Sequence, residues 1–235
     1  MPKFHLSVRA RTLVPALLFS VTFSITLNAS AQATPQTATH KQLDRIDFAI
    51  SGAGEITNTV SGVELRDKNT THSTLTIKPS STVGELVTLR YTAKPYVGFE
   101  FNFGNARYTQ NYTFTPSPSS NLLTGGAQAG ARELTFGYVA HPPYRPFGIQ
   151  PFVGLGGGTI RFKPTTYGGQ GLPQQYRAAY YYTIGVENNF PGSHFGVRVG
   201  FRQLIYLAPD FLQNYLTITR RVQTSEPNFG FFVRF

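Results

Sequence analysis

The segment Pro227-Asn228-Phe229-Gly230-Phe231-Phe232-Val233-Arg234-Phe235 constrains the fold more than any other. Phe229, Phe231, Val233 and Phe235 fall on one face of a strand, and Asn228, Gly230, Phe232 and Arg234 on the other. In water such a strand leaves an apolar edge open to pairing with other chains. In a closed barrel set in lipid, the apolar face meets hydrocarbon and the other face lines the lumen. The ending therefore predicts the solvent the chain is built for, and says nothing about a substrate.

The beginning agrees. Lys3, Arg9 and Arg11 precede an apolar run from Thr12 to Leu27, and Ala29-Ser30-Ala31 fits a small-x-small cleavage site. The run contains Pro15 and is shorter than the ~20 residues a spanning helix needs. Residues 1–31 read as a signal peptide, 32–43 as a polar lead-in, and 44–235 as one barrel domain. Removal of the three leader cations lowers the formal charge from +10 to +7. There is no Cys, hence no disulfide framework and no thiolate metal site. Twenty Phe, 13 Tyr and 23 Gly, with no Trp, suit strands flanked by aromatic girdles.

Period-two alternation recurs along the chain. Ile46, Phe48 and Ile50 open the first strand, and Val87, Leu89 and Tyr91 the second. Val97, Phe99, Phe101 and Phe103 mark the third, and Leu134, Phe136 and Tyr138 the fourth. Phe147, Ile149, Val153 and Leu155 mark the fifth, and Tyr182, Ile184 and Val186 the sixth. Phe195, Val197, Val199 and Phe201 mark the seventh, and the eighth reaches Phe235. Long polar stretches (about Asn58–Ser81, Gln110–Gln128, Pro164–Gln175 and Ala208–Leu216) alternate with short turns at Ala93–Tyr96, His141–Pro146 and Asn189–Ser193. The predicted fold is all-β: an eight-stranded antiparallel transmembrane barrel with short periplasmic turns and long extracellular loops.

Turning the apolar parity outward sends Asp47, Arg90, Glu100, Glu133, Glu187, Arg198, Arg202 and Arg234 into the lumen, with Asn102, Phe152, Tyr181, Thr183, His194 and Phe232. Four carboxylates face four arginines, which predicts a plug of ion pairs, since buried charges must pair. Glycines at 104, 137, 154, 156, 185, 196, 200 and 230 are expected to make room for the long arginines. Arg107, Arg161, Lys163, Arg177, Arg220 and Arg221 lie near the outer strand ends and are expected to meet lipopolysaccharide phosphates. Tyr108, Tyr112, Tyr144, Tyr176, Tyr180, Tyr206 and Tyr215 read as girdle residues.

The leader, eight strands and terminal Phe resemble the small outer-membrane barrels of the OmpA-like and OmpX-like group. Arg198-Val199-Gly200-Phe201-Arg202, Tyr206-Leu207-Ala208-Pro209-Asp210-Phe211 and Pro151-Phe152-Val153-Gly154-Leu155-Gly156 are similar to segments of "outer membrane beta-barrel domain" proteins of Gram-negative bacteria. The resemblance implies a monomer in the outer membrane, inserted by the β-barrel assembly machinery through Phe229, Phe231, Val233 and Phe235. It does not extend to the peptidoglycan-binding domain of the OmpA kind. A structural or surface-interaction role is expected. The alternative is a narrow porin-like channel for ions or small solutes, and a lipid-A-modifying enzyme is the remote one. No enzyme activity, catalytic residue, cofactor or metal is expected. His72-Ser73 reads as a loop pair, and Gly154-Leu155-Gly156-Gly157-Gly158 lacks the Lys-Ser/Thr ending of a phosphate loop. An exported barrel is not expected to bind nucleic acid, despite its basic charge.

Overall fold

The computed structural model describes residues 45–64, 73–116 and 121–235. The leader, the lead-in and His72 lie outside the described residues. The strands are β1 (Ile46–Thr57), β2 (Val60–Val63), β3 (Thr74–Pro79), β4 (Thr82–Lys94) and β5 (Val97–Thr115). They continue as β6 (Leu123–Ala140), β7 (Gln150–Pro164), β8 (Gln175–Asn189), β9 (Phe195–Leu207) and β10 (Arg221–Arg234).

Eight of them close antiparallel in the order β1-β4-β5-β6-β7-β8-β9-β10, and β10 returns to β1. Closure pairs the strand that ends the chain, so the apolar edge expected to be a liability does not exist. The stagger follows from the register. Opposed residues lead from Ile46 through Tyr91, Phe99, Tyr138, Leu155, Tyr182, Gln203 and Ser225 to Ile56, a displacement of ten residues. With strands ~4.8 Å apart and a rise of ~3.3 Å per residue, that stagger tilts the strands by roughly 40°.

The two strand faces have different surroundings. Ile50, Leu89, Phe136, Leu155, Ile184, Val199 and Phe231 all point outward and are exposed around the whole wall. An apolar belt of that extent is untenable in water and is the lipid-facing surface of a strand-built membrane span.

Several details differ from the sequence reading. The stretch after β1 is not all loop: β2 and β3 form a hairpin, and β3 extends the wall by pairing Leu75 with Phe114 and Ile77 with Tyr112 of β5. The stretch Gln110–Gln128 is mostly strand: Gln110 to Phe114 of β5 pair in unbroken register with Ala127 to Leu123 of β6, and Tyr112 and Phe114 point inward to the core. Only 116–122 connects β5 to β6, whereas 141–149 connects β6 to β7, so long and short connections do not strictly alternate. Phe147 and Ile149 precede the fifth barrel strand. Pro146–Gly148 is a 3-10 turn with Phe147 at φ 52°, and β7 begins at Gln150.

Candidate functional site

The lumen has two layers of different chemistry. In the half nearer the β4–β5, β6–β7 and β8–β9 connections, register sets charges opposite one another: Asp47 faces Arg90 and Arg234, Arg90 faces Glu100, and Glu187 faces Arg198. Glu187 is the hub. Its Oε2 accepts from Arg90 Nη1 at 3.0 Å and Arg198 Nε at 3.0 Å, and its Oε1 from Arg234 Nη2 at 3.2 Å. Arg90 Nη2 also donates to Glu100 Oε2 at 2.9 Å, and Arg198 Nη2 to Asp47 Oδ1 at 2.8 Å. Three arginines thus meet three carboxylates. All six are buried except Arg234, whose side chain is one-third exposed (33%) at that mouth of the barrel. His141 is buried beside them, its Nε2 3.6 Å from Glu187 Oε1.

Arg202 forms a second, separate group. Its Nη1 donates to Glu133 Oε2 and to Glu226 Oε2, each at 2.8 Å, and its Nη2 bonds Glu133 Oε1 and Thr135 Oγ1. Glu55 lies against the same small cavity as Glu133 and Glu226. Here one guanidinium faces an excess of carboxylates. Glu226 and His141 extend the expected set of eight. Glu226 shares the inward parity of Phe232 and Arg234, so continuing that parity past Pro227 would have found it. His141 follows the end of β6, where parity no longer applies.

The arginines rest on aromatic rings. Arg90 lies 4.7 Å from the Phe152 ring centre, Arg198 5.0 Å from Phe232 and Arg202 4.3 Å from Tyr181. This corrects the reading of the lumen glycines. A Cβ on Gly185 would meet the Phe152 ring at 2.5 Å, one on Gly196 would meet the Phe232 ring, and one on Gly137 or Gly156 would meet Tyr181. The glycines seat the rings, and the rings carry the guanidiniums as cation–π platforms.

The outer half of the lumen is not an ion-pair plug. It is an apolar core of Ile160, Phe162, Leu204, Tyr206, Leu216, Ile218 and Val222, closed from above by residues 208–220. Tyr112 and Tyr206 belong to this core, and Tyr108 packs against it, so these three are not girdle residues; Tyr176 and Tyr180 do face outward. Phe211 is fully buried, with its backbone in the left-handed region at φ 49°. Gln175 pins it there: its Oε1 accepts from Asp210 N and Phe211 N, and its Nε2 donates to Asp210 Oδ1 at 2.6 Å. Asp210 also accepts from Leu212 N and Thr217 Oγ1, and it pairs with Arg177 at 2.8 Å. Burial opposes ionisation of Asp210, but the Gln175 amide, the Arg177 guanidinium and the other donors outweigh it and hold its carboxyl below the usual range.

The six basic rim residues separate. Arg177 has inward parity and joins the Asp210 latch, so it does not face lipid. Arg220 and Arg221 are exposed at the start of β10. Arg107, Arg161 and Lys163 face outward on β5 and β7, and Arg132 of β6 stands between them. Arg132 has the same parity as Leu134, Phe136 and Tyr138, so the alternation already placed it on this face. At the other end, Phe229, Phe231 and Val233 form the outward face of β10 beside Phe48 and Ile50, and Phe235 follows the strand, its N bonded to Ile46 O.

No family model and no curated protein matches the chain. Among solved structures, Neisserial surface protein A is similar at 10% identity and a TM-score of 0.48, over 80% of this chain and 97% of that one. The attachment invasion locus protein Ail of Yersinia pestis, in complex with the heparin analogue sucrose octasulfate, gives 15% and 0.43, over 81% and 98%. The outer membrane protein AlkL gives 17% and 0.38, over 89% and 93%. With its closed wall of eight antiparallel strands and its apolar outer belt, the chain has the architecture of a small outer-membrane β-barrel.

Proposed function

We propose that the protein is an integral outer-membrane barrel with a closed lumen, and that it acts through its wall and outer loops rather than by transport. One observation carries this reading: the lumen is filled twice, by different chemistry. An ion-pair layer occupies the periplasmic half and an apolar core capped by Phe211 the outer half. Opening a path would require separating buried charges, at several kcal/mol per ion, and also withdrawing Phe211 from its seat. The role that follows is structural or surface-interacting. On this reading residues 1–31 are removed during export. The assembly machinery recognises Phe229, Phe231, Val233 and Phe235, and the barrel works as a monomer.

The test is single-channel conductance of the refolded, leaderless protein in a planar bilayer, with insertion verified. A silent bilayer supports closure. Steady conductance steps that change with charge substitutions at Arg198 or Glu133 would overturn it and make the protein a narrow channel gated by its ion pairs.

A further inference from the structure

We propose that the outward faces of β5, β6 and β7 form a clamp for a lipid headgroup carrying two phosphate groups. Arg132 and Arg161 are directly opposed across β6 and β7. The next outward row is Arg107, Gly130 and Lys163. Four cations therefore occupy two successive rows on three adjacent strands. Like charges set directly opposite destabilise a sheet, and a structural surface would alternate them with acids. None of the four is in a salt bridge with an acid among the described residues. Arg107 donates to the Gln128 side chain, and Glu85, the acid bordering the depression, accepts from Asn105. Four cations thus share a lining with one acid, which pairs with none of them.

The shape fits an anion. The cations line a depression of about 720 Å³ with the exposed Tyr167 at its border. Gly130 lies in the middle of the outer row. A Cβ there would meet nothing nearer than 3.9 Å and its φ is not positive, so neither packing nor backbone requires glycine. Its missing side chain leaves the floor of the depression open between Arg107 and Lys163.

Depth selects the source of the phosphate. The last apolar outward row on these strands is Phe103 and Leu134. At roughly 40° of tilt each residue climbs about 2.5 Å along the barrel axis, so the two cation rows stand about 5 and 10 Å beyond that row. The headgroup zone occupies about 5–8 Å on each side of the hydrocarbon. The inner row thus stands at the depth of lipid phosphates and the outer row just beyond it, within side-chain reach. Arg132 and Arg161 can each grip a phosphate bidentately, with Arg107 and Lys163 closing on the outer oxygens.

The inference rests on membrane residence and not on a closed lumen, so conductance would overturn closure and leave it standing. The experiment uses refolded full barrel in phosphatidylcholine vesicles, with folding verified by gel mobility. Bis-phosphorylated lipid A, its dephosphorylated form and sucrose octasulfate are the probes. Bis-phosphorylated lipid A is expected to raise the unfolding temperature in a salt-sensitive way. Arg132→Gln/Arg161→Gln is expected to bind it about tenfold or more weakly while unfolding normally without it. Gly130→Leu, which fills the floor and spares every cation, is expected to lose the shift as well. Equal shifts with dephosphorylated lipid A, an undiminished shift in both variants, or stronger binding of the soluble octasulfate than of the lipid would each overturn the proposal.

Discussion

Glu187→Gln isolates what the ion-pair layer contributes. The substitution preserves shape and removes one charge. Glu187 now accepts from Arg90, Arg198 and Arg234. A glutamine keeps one accepting oxygen and presents an amide donor to a guanidinium. Arg90, Arg198 and Arg234 would then face only Asp47 and Glu100, leaving one positive charge uncompensated. Breaking a buried pair costs about 3–5 kcal/mol. The Arg234 arm is one-third exposed and contributes little. Arg90 and Arg198 keep Glu100 and Asp47, so the lower end, about 3 kcal/mol, is expected. At a urea slope of about 1–3 kcal/mol per molar the midpoint falls by about 1–3 M. The chain has no Trp, so sheet circular dichroism of the refolded barrel in vesicles is the assay. Glu187→Gln/Arg234→Gln restores neutrality and is expected to recover part of the loss. A single variant within about 0.5 kcal/mol of wild type, or a double variant less stable than the single, would refute the charge argument.

Gly185→Ala places a Cβ 2.5 Å from both the Phe152 ring and the Val199 carbonyl, so overpacking should cost about 1–3 kcal/mol in the same unfolding assay. Gly130→Ala, with 3.9 Å to its nearest neighbour, should stay within about 0.5 kcal/mol. The Asp210 latch has a defined acid limit. Its folded pKa lies below the ordinary carboxylate value near 3.9, so the latch is fully present above about pH 4 and is lost as pH falls through the lower folded value. Amide protection across 208–220, taken relative to the intrinsic exchange rate at each pH, should therefore be unchanged between pH 7 and 5 and should fall only in stronger acid; lost protection already at pH 5 would contradict the pairing. Deletion of Phe235 should reduce outer-membrane yield without altering the unfolding midpoint of barrels that do fold, and normal yield would remove its assembly role.

The wall was legible because lipid imposes one rule on every strand: the residue pointing outward must be apolar. That rule placed Phe48, Phe136 and Phe231 outside and, by subtraction, Arg90, Glu100 and Arg202 inside. It fails in the outer half, where polar residues such as Arg161 and Lys163 face outward and apolar ones inward. Phe162, Leu204 and Val222 share the inward parity of the charged residues, so parity does not distinguish a charged lumen from an oily one. It also fails where the chain leaves the wall. Phe211 reaches the core only through the bonds that Gln175 makes to residues 35 and 36 positions away. Arg177 shows a different limit: its inward parity was readable, but its position near the strand end suggested lipid.

Asp47 belongs to the first strand of the wall, and its Arg198 partner is 151 residues away on β9. Arg234, on the last strand, faces Asp47 across the β1–β10 seam. Such distant contacts are the slowest for a chain to make. Until the seam zips, Asp47 has no Arg198 and Glu187 has no Arg90, so a half-closed sheet carries incompletely paired charges on the face that becomes the lumen. The ion-pair layer is thereby a closure sensor: the Asp47–Arg198 and Glu187–Arg90 pairs form only when the circle is complete.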